Sequence, residues 1–149
     1  MSEITFEKMT ADDADAFIEL EKKIIHLKVY SGMTDTDEVR KEIETNECYL
    51  IKKDGKIVGS MEYQMKGPDE AYFGGLVVDP DYQGQGIARK AAEFRLEKAK
   101  GAKRVWLVTH PHNSKVIRLY LSLGFVVESW KDDYYGDGEP RLVLAREHL

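Results

Sequence analysis

The chain has one cysteine, Cys48, so no intrachain disulfide can form and no zinc cage of the usual Cys/His type can be built. It has only four prolines, and no apolar run approaches the length of a membrane span. It has no excess of positive charge either: 22 Lys and Arg against 27 Asp and Glu leave a net charge of -5. A general nucleic-acid binder needs a basic face and an anionic membrane surface attracts basic clusters, so neither partner is expected. Met1-Ser2-Glu3-Ile4 lacks the basic and apolar regions of a signal peptide, and a cytoplasmic location is expected. Gly-x-Ser-x-Gly is absent, which leaves serine hydrolase chemistry without support.

What is present suits one packed unit. The 149 residues are 42% hydrophobic, enough for a real core, and one domain over 1–149 is expected. Ile4 to Met9 reads as a strand, and Thr10 as the N-cap of a helix carrying Ala14, Phe17, Ile18, Ile24 and Ile25 at helical spacing. Ser31-Gly32 ends it, and a second helix covers Thr36 to Thr45. Cys48 to Lys52 is a strand, Asp54-Gly55 a hairpin turn, and the returning strand alternates from Ile57 to Met65. After a turn at Gly67-Pro68-Asp69 come a strand from Ala71 to Val78, a helix from Gly84 to Lys100, and a strand from Val105 to Val108 buried on both faces. A helix from Asn113 to Leu123 closes at Gly124, and strands at Phe125 to Glu128 and Arg141 to Leu144 finish the chain. The expected fold class is α/β, with a mixed sheet.

The most informative stretch runs from Leu76 to Arg89, from a strand through a Pro-containing turn into a Gly-rich helix start. Main-chain N–H groups in the first turn of a helix have no partner within it, and the helix dipole is positive there. Glycines let a phosphate approach those donors, and Arg89 adds a full charge. A dinucleotide fingerprint needs a third glycine where Arg89 stands, and a P-loop needs a Gly-Lys-Ser/Thr ending that is missing. An ordinary strand–turn–helix with packing glycines stays open on spacing alone.

Gln83-Gly84-Gln85-Gly86-Ile87-Ala88 resembles the Gln/Arg-x-x-Gly-x-Gly/Ala motif of the GNAT superfamily of N-acetyltransferases. Asn113, Leu119-Tyr120 and Leu123-Gly124-Phe125 resemble that family's later motif, and Asn113 and Tyr120 lie seven residues apart on one helix face. Asp69-Glu70-Ala71 and Tyr134-Tyr135 resemble the branch that acetylates ribosomal-protein alanine and protein N-termini. The resemblance implies a GNAT-like, mostly antiparallel sheet with helices on both faces, and acetyl-coenzyme A as co-substrate without a metal. It implies that Gln83, Gly84, Gln85, Gly86, Ile87, Ala88 and Arg89 hold the pyrophosphate, with Asn113 and Tyr120 beside the cofactor. Leu76, Val77 and Val78 would pair with the pantetheine arm and supply an oxyanion donor. Gly74-Gly75 fits a bulge there, or a bend under a bulky neighbour.

Making an amide from a thioester requires a neutral amine, a donor for the oxyanion and a proton for the leaving thiolate. A phenol is protonated at neutral pH, and Tyr120 stands where the family has that acid. The branch's basic glutamate corresponds to Val108, which cannot take a proton. His110, on the same face as Val108, and Glu70 and Glu62 are the substitute bases; each also reads as a solvated surface group. His110-Pro111-His112 lacks a third metal ligand. In the resembling branch, the loop with Tyr134 and Tyr135 lines the acceptor entrance. Here Asp132, Asp133, Asp137 and Glu139 surround it, suiting a positive acceptor such as a polyamine, aminoglycoside, lysine side chain or basic N-terminus; a solvated acidic turn stays open. An amine-bearing partner and a homodimer are expected. A non-catalytic acyl-coenzyme A sensor and a generic nucleotide-binding domain are the alternatives.

Overall fold

The structure, a computed structural model, describes residues 3–24 and 33–147. Its strands are β1 (Ile4–Lys8), β2 (Glu47–Lys53), β3 (Lys56–Met65), β4 (Glu70–Val78), β5 (Arg104–Thr109), β6 (Val126–Lys131) and β7 (Arg141–Glu147). Its helices are α1 (Ala14–Lys22), α2 (Thr36–Thr45), α3 (Ile87–Lys98) and α4 (Ser114–Ser122), in the order the sequence pattern predicts. The expected helix residue Ile25 and the break at Ser31-Gly32 lie outside the described residues.

Local chemistry explains the boundaries. Thr10 starts a single 3-10 turn, Ala11–Asp13, before α1 begins. Asp35 caps α2, its carboxylate accepting from Glu38 N–H at 2.9 Å. Asp54 and Gly55 take φ of 50° and 82°, the left-handed pair that a tight hairpin needs. The helix expected from Gly84 starts only at Ile87, because Gly84 and Gly86 both sit at φ 80° and cannot continue a right-handed helix.

The seven strands form one sheet in the order β1-β2-β3-β4-β5-β7-β6. Every neighbour pair is antiparallel except β4 and β5, whose parallel connection requires a crossover; α3 supplies it. Alternate residues of β2 feed two cores. Tyr49 and Ile51 join Phe73, Ala91, Ala92 and Leu107 beneath α3, whereas Cys48 and Leu50 join Phe17, Ile18, Val39 and Ile43 beneath α1 and α2. Helices therefore cover both faces. Ala91 and Ala92 are fully buried, and their small side chains let α3 lie close on the sheet.

Two expectations are corrected. In β5 only Val105, Leu107 and Thr109 are buried; Val108, at the open cleft, and Trp106, against the Tyr72 ring, are half-buried. In β3 Glu62 is not the solvated surface group it also reads as: it is half-buried, sharing a face with its partner Cys48.

Gly59 has the least room of the described glycines, since a Cβ there would lie 2.4 Å from the Val77 carbonyl oxygen. Gly59→Ala must push β3 from β4, and a destabilisation of roughly 1–3 kcal/mol is expected. Thermal denaturation should show a melting temperature lower by about 3–10 °C; an unchanged value would contradict this packing.

Candidate active site

The site begins where β4 and β5 part. They pair from Glu70↔Arg104 to Phe73↔Leu107, whereas β4 continues to Val78 and β5 to Thr109. Between the pairs Met61↔Leu76 and Tyr63↔Phe73, β4 carries one residue more than β3, so Gly74-Gly75 forms a bulge. A Cβ on Gly74 would lie 2.7 Å from Glu62 Cγ, so that side chain fills the space above the bulge. The parting strands open a cleft of about 300 Å³ lined by Leu76, Val77, Val108, His110, Asn113 and Tyr120. A second cavity of about 250 Å³ shares Leu76 and Asn113 with it and runs to the start of α3.

That second cavity has the features of an anion cradle. Asp79 shapes the turn before it: one carboxylate oxygen accepts from Asp81 N–H at 3.0 Å, and the other pairs with Lys23 at 2.5 Å. Gln83 donates to the Val78 carbonyl at 3.1 Å. The first main-chain bond into α3 is Lys90 N–H to Gly86 O, so the N–H groups of Ile87, Ala88 and Arg89 begin the helix without a partner in it. A Cβ at Gly84 or Gly86 would meet no atom within 4 Å, leaving the approach open to a ligand phosphate. Val78, Gln83, Gly84, Gly86, Ile87, Ala88 and Arg89 line this cavity; Gln85 does not, its side chain accepting from Lys53. Arg89 is held at the rim by Ser122 Oγ at 2.7 Å. Among the described residues no group of three or more His, Cys, Asp and Glu could hold a metal.

Tyr120 is buried at 2% exposure yet borders the first cleft, on the α4 face it shares with Asn113 and Val116. Its phenol oxygen accepts a hydrogen bond from the buried guanidinium of Arg95. Since Arg95 can only donate, the phenol's own proton is left for another acceptor. Arg95 was missed in the sequence reading, although a signal existed: it falls on the helical stripe of Ala88, Ala91, Ala92 and Ala99, where a charge is out of place.

The opposite wall is acidic. Glu21, Glu42 and Glu62 line the cleft together with Phe17, Met33 and Tyr72. Glu62 Oε1 accepts from Gly75 N–H at 3.3 Å, and Oε2 from Cys48 Sγ at 3.4 Å. Burial, with the charge of Glu42 beside it, pushes the Glu62 carboxyl up to about 8. Burial pushes Glu21 up to about 7. Tyr72 is hydrogen-bonded to Tyr135, and burial pushes its phenol up, so it stays protonated. Arg141, also buried, donates to Asp137 at 2.8 Å and lies 5.1 Å from the Tyr135 ring centre.

The sequence-derived bases fare differently. His110 is not a surface residue but 1% exposed. Its Nδ1 accepts from His112 N–H at 3.0 Å, which sets the neutral ring's proton on Nε2, facing Glu139 at 3.2 Å. A ring so engaged has no free lone pair to offer an amine. Glu70 stands at the far end of β4, accepting from Trp106 Nε1 at 3.1 Å, and does not line the cleft. Glu62 does. Of the two loop tyrosines, Tyr135 borders the cleft, while Tyr134 is exposed and packs edge-on against it.

The family model described as acetyltransferase (GNAT) family matches residues 14–125. The chain is 38% identical over 82 residues to the [ribosomal protein bS18]-alanine N-acetyltransferase of Escherichia coli strain K12, 52% of this chain and 55% of that one. It is 32% identical over 56 residues to the spermidine N(1)-acetyltransferase of the same strain, 36% of this chain and 30% of that one. The chain thus spans about half, or less, of the length of the curated relatives it matches. The crystal structure of the ribosomal-protein-S18-alanine N-acetyltransferase from Escherichia coli superimposes with a TM-score of 0.82 at 25% identity, covering 97% of this chain and 94% of that one. An Elizabethkingia anophelis GNAT family acetyltransferase with acetyl-CoA bound shares the fold, with a TM-score of 0.75 at 17% identity over 97% and 98% of the two chains.

The raised Glu62 carboxyl carries a stability consequence. The folded state holds its proton up to about 8, whereas the unfolded chain releases it near the ordinary 4.5. The stabilisation is complete below the lower value and lost as pH rises through the higher one. Glu62→Gln should therefore flatten the fall in stability over that window, by on the order of 1–2 kcal/mol once the cleft's partial hydration is allowed for. A pH series of thermal melts checks this; parallel curves for both proteins would contradict it.

Proposed function

The chain belongs to the acetyltransferase (GNAT) family, and from that footing we propose that it transfers an acetyl group from acetyl-coenzyme A to a primary amine by direct attack on the thioester. The observation that carries this reading is the phenol of Tyr120 bordering the cleft where β4 leaves β5, next to an open main-chain cradle at the start of α3. Residues 1–149 would act as one N-acetyltransferase domain in the cytoplasm. A homodimer would meet on edge strand β6, whose Val126, Val127 and Trp130 are exposed.

In this proposal the N–H groups around Gly84 to Arg89 bind the pyrophosphate, with Asn113 beside them. The unpaired edge of β4 from Leu76 to Val78 aligns the pantetheine arm and offers a donor to the thioester oxygen. Glu62 takes a proton from the ammonium, directly or through water; a carboxylate lifted to about 8 is far better matched to that task than an ordinary one. The amine nitrogen then bonds to the thioester carbon and gives its second proton to water, while the C–S bond breaks with its electron pair on sulfur. Tyr120 supplies the proton that makes the free thiol, and solvent restores the phenol.

The acceptor is read as cationic. Glu21, Glu42 and Glu62 line its side of the cleft and Tyr72 and Tyr135 its mouth, which suits an amine bearing further positive charge, such as a polyamine, a lysine side chain or a basic N-terminus. Support comes from relatives named for a ribosomal-protein alanine and for spermidine.

Thiol release from acetyl-coenzyme A, measured across peptides, polyamines and aminoglycosides, tests the activity. Binding without release for every acceptor would leave the sensor reading in its place. Tyr120→Phe should lower turnover by roughly 10²–10⁴-fold with little change in coenzyme A affinity; unchanged turnover would remove Tyr120 as the acid. Turnover should rise with pH through about 8 as Glu62 loses its proton, and Glu62→Gln should abolish that limb. Gly86→Asp puts a side chain and a negative charge into the cradle, and calorimetry should show coenzyme A binding weakened at least about tenfold.

A further inference from the structure

Building on the reading of Tyr120 as the acid, we propose that Arg95 is a positioning residue whose buried charge acts through the Tyr120 oxygen, stabilising the phenolate left when the proton passes to sulfur. Arg95 is 1% exposed, and its fork is spent on neutral acceptors. Nη1 donates to the Glu62 and Gly74 carbonyls, both at 2.9 Å, and Nη2 donates to the phenol of Tyr120. The guanidinium carbon lies 4.5 Å from the Phe73 ring centre, and among the described residues Nε has no hydrogen-bond partner. Among the described residues no carboxylate forms an ion pair with it.

A buried cation without a counter-charge is costly, and an apolar side chain would fill the same space more cheaply. The two carbonyl bonds explain part of its presence. The β4 bulge withdraws Gly74 C=O from regular pairing, and Arg95 satisfies it while fixing the plane of the guanidinium. The third bond explains the charge. When the thioester C–S bond breaks, the pair stays on sulfur, the Tyr120 proton moves to it, and a negative oxygen remains against Nη2. The missing counter-ion is thus made during turnover, at a donor already aimed at it, so no reorganisation is needed at that moment. Before that step, the same bond keeps the phenol proton directed away from the helix.

A double-mutant cycle tests this, using the panel's fastest amine as acceptor. With Tyr120 present, Arg95→Met should lower kcat by about 10–100-fold while KM for acetyl-coenzyme A stays within about threefold. In the Tyr120→Phe background, the same change should alter kcat by less than about twofold. Arg95→Lys, which keeps the charge but not the fork, should recover part of the loss. If circular dichroism shows that the Met variant does not fold, the cycle is read with Lys, again expecting a loss confined to the Tyr120 background. An equal loss in both backgrounds overturns the role of Arg95 and leaves Tyr120 as the acid. Unchanged turnover in Tyr120→Phe alone removes the acid, and this proposal with it.

Discussion

Two parallel strands that cease to pair are the constraint on which the rest of this structure depends. β4 and β5 share four residue pairs and then part, leaving main-chain donors and acceptors of β4 from Gly74 onward without a neighbour on that side. Buried main-chain polar groups require partners, so such a gap is stable only when side chains, water or a ligand complete it. Here Arg95 completes part of it from below, and Glu62 occupies the Gly75 N–H from above. The remainder of the edge, Leu76 to Val78, leads into the glycine cradle at α3.

The charges around this gap are arranged by wall. Arg95 stands beneath the phenol and Arg141 beneath Tyr135, whereas Glu21, Glu42 and Glu62 line the α1–α2 side. Buried carboxyls resist ionisation, which lifts Glu21 and Glu62 toward neutrality and makes the wall responsive to an incoming cation. His110, by contrast, has both ring nitrogens engaged and serves to tie the end of β5 to the 132–140 loop through Glu139. In the proposed reaction, Tyr120 on one wall is the acid and Glu62 on the other the proton acceptor.

Much of the fold was legible from short-range rules. The hairpin at Asp54-Gly55 follows from residues that tolerate positive φ, whereas left-handed Gly84 and Gly86 delay α3 past its expected start, and the apolar run of β2 gives no sign in sequence that it feeds two cores. The candidate site was legible where its residues are neighbours in sequence, as with Gln83, Gly84 and Gly86 to Arg89, or share a helix face, as with Asn113 and Tyr120. It was not legible where residues meet across strands. Glu62 and Glu70 read alike as charges on strands, and only the β4 bulge and the parting from β5 bring one to the cleft and leave the other at the opposite end.

The sequence by itself determined the order of elements, their turns and the donor-rich start of α3, because each is set by backbone conformations within a few residues. Tertiary structure alone decided the ionisable chemistry: which carboxylate faces the cleft, which nitrogen of His110 holds its proton, and that Arg95 meets the phenol of Tyr120. Those outcomes depend on burial and on contacts between residues far apart in the chain, for which a linear pattern carries no distance.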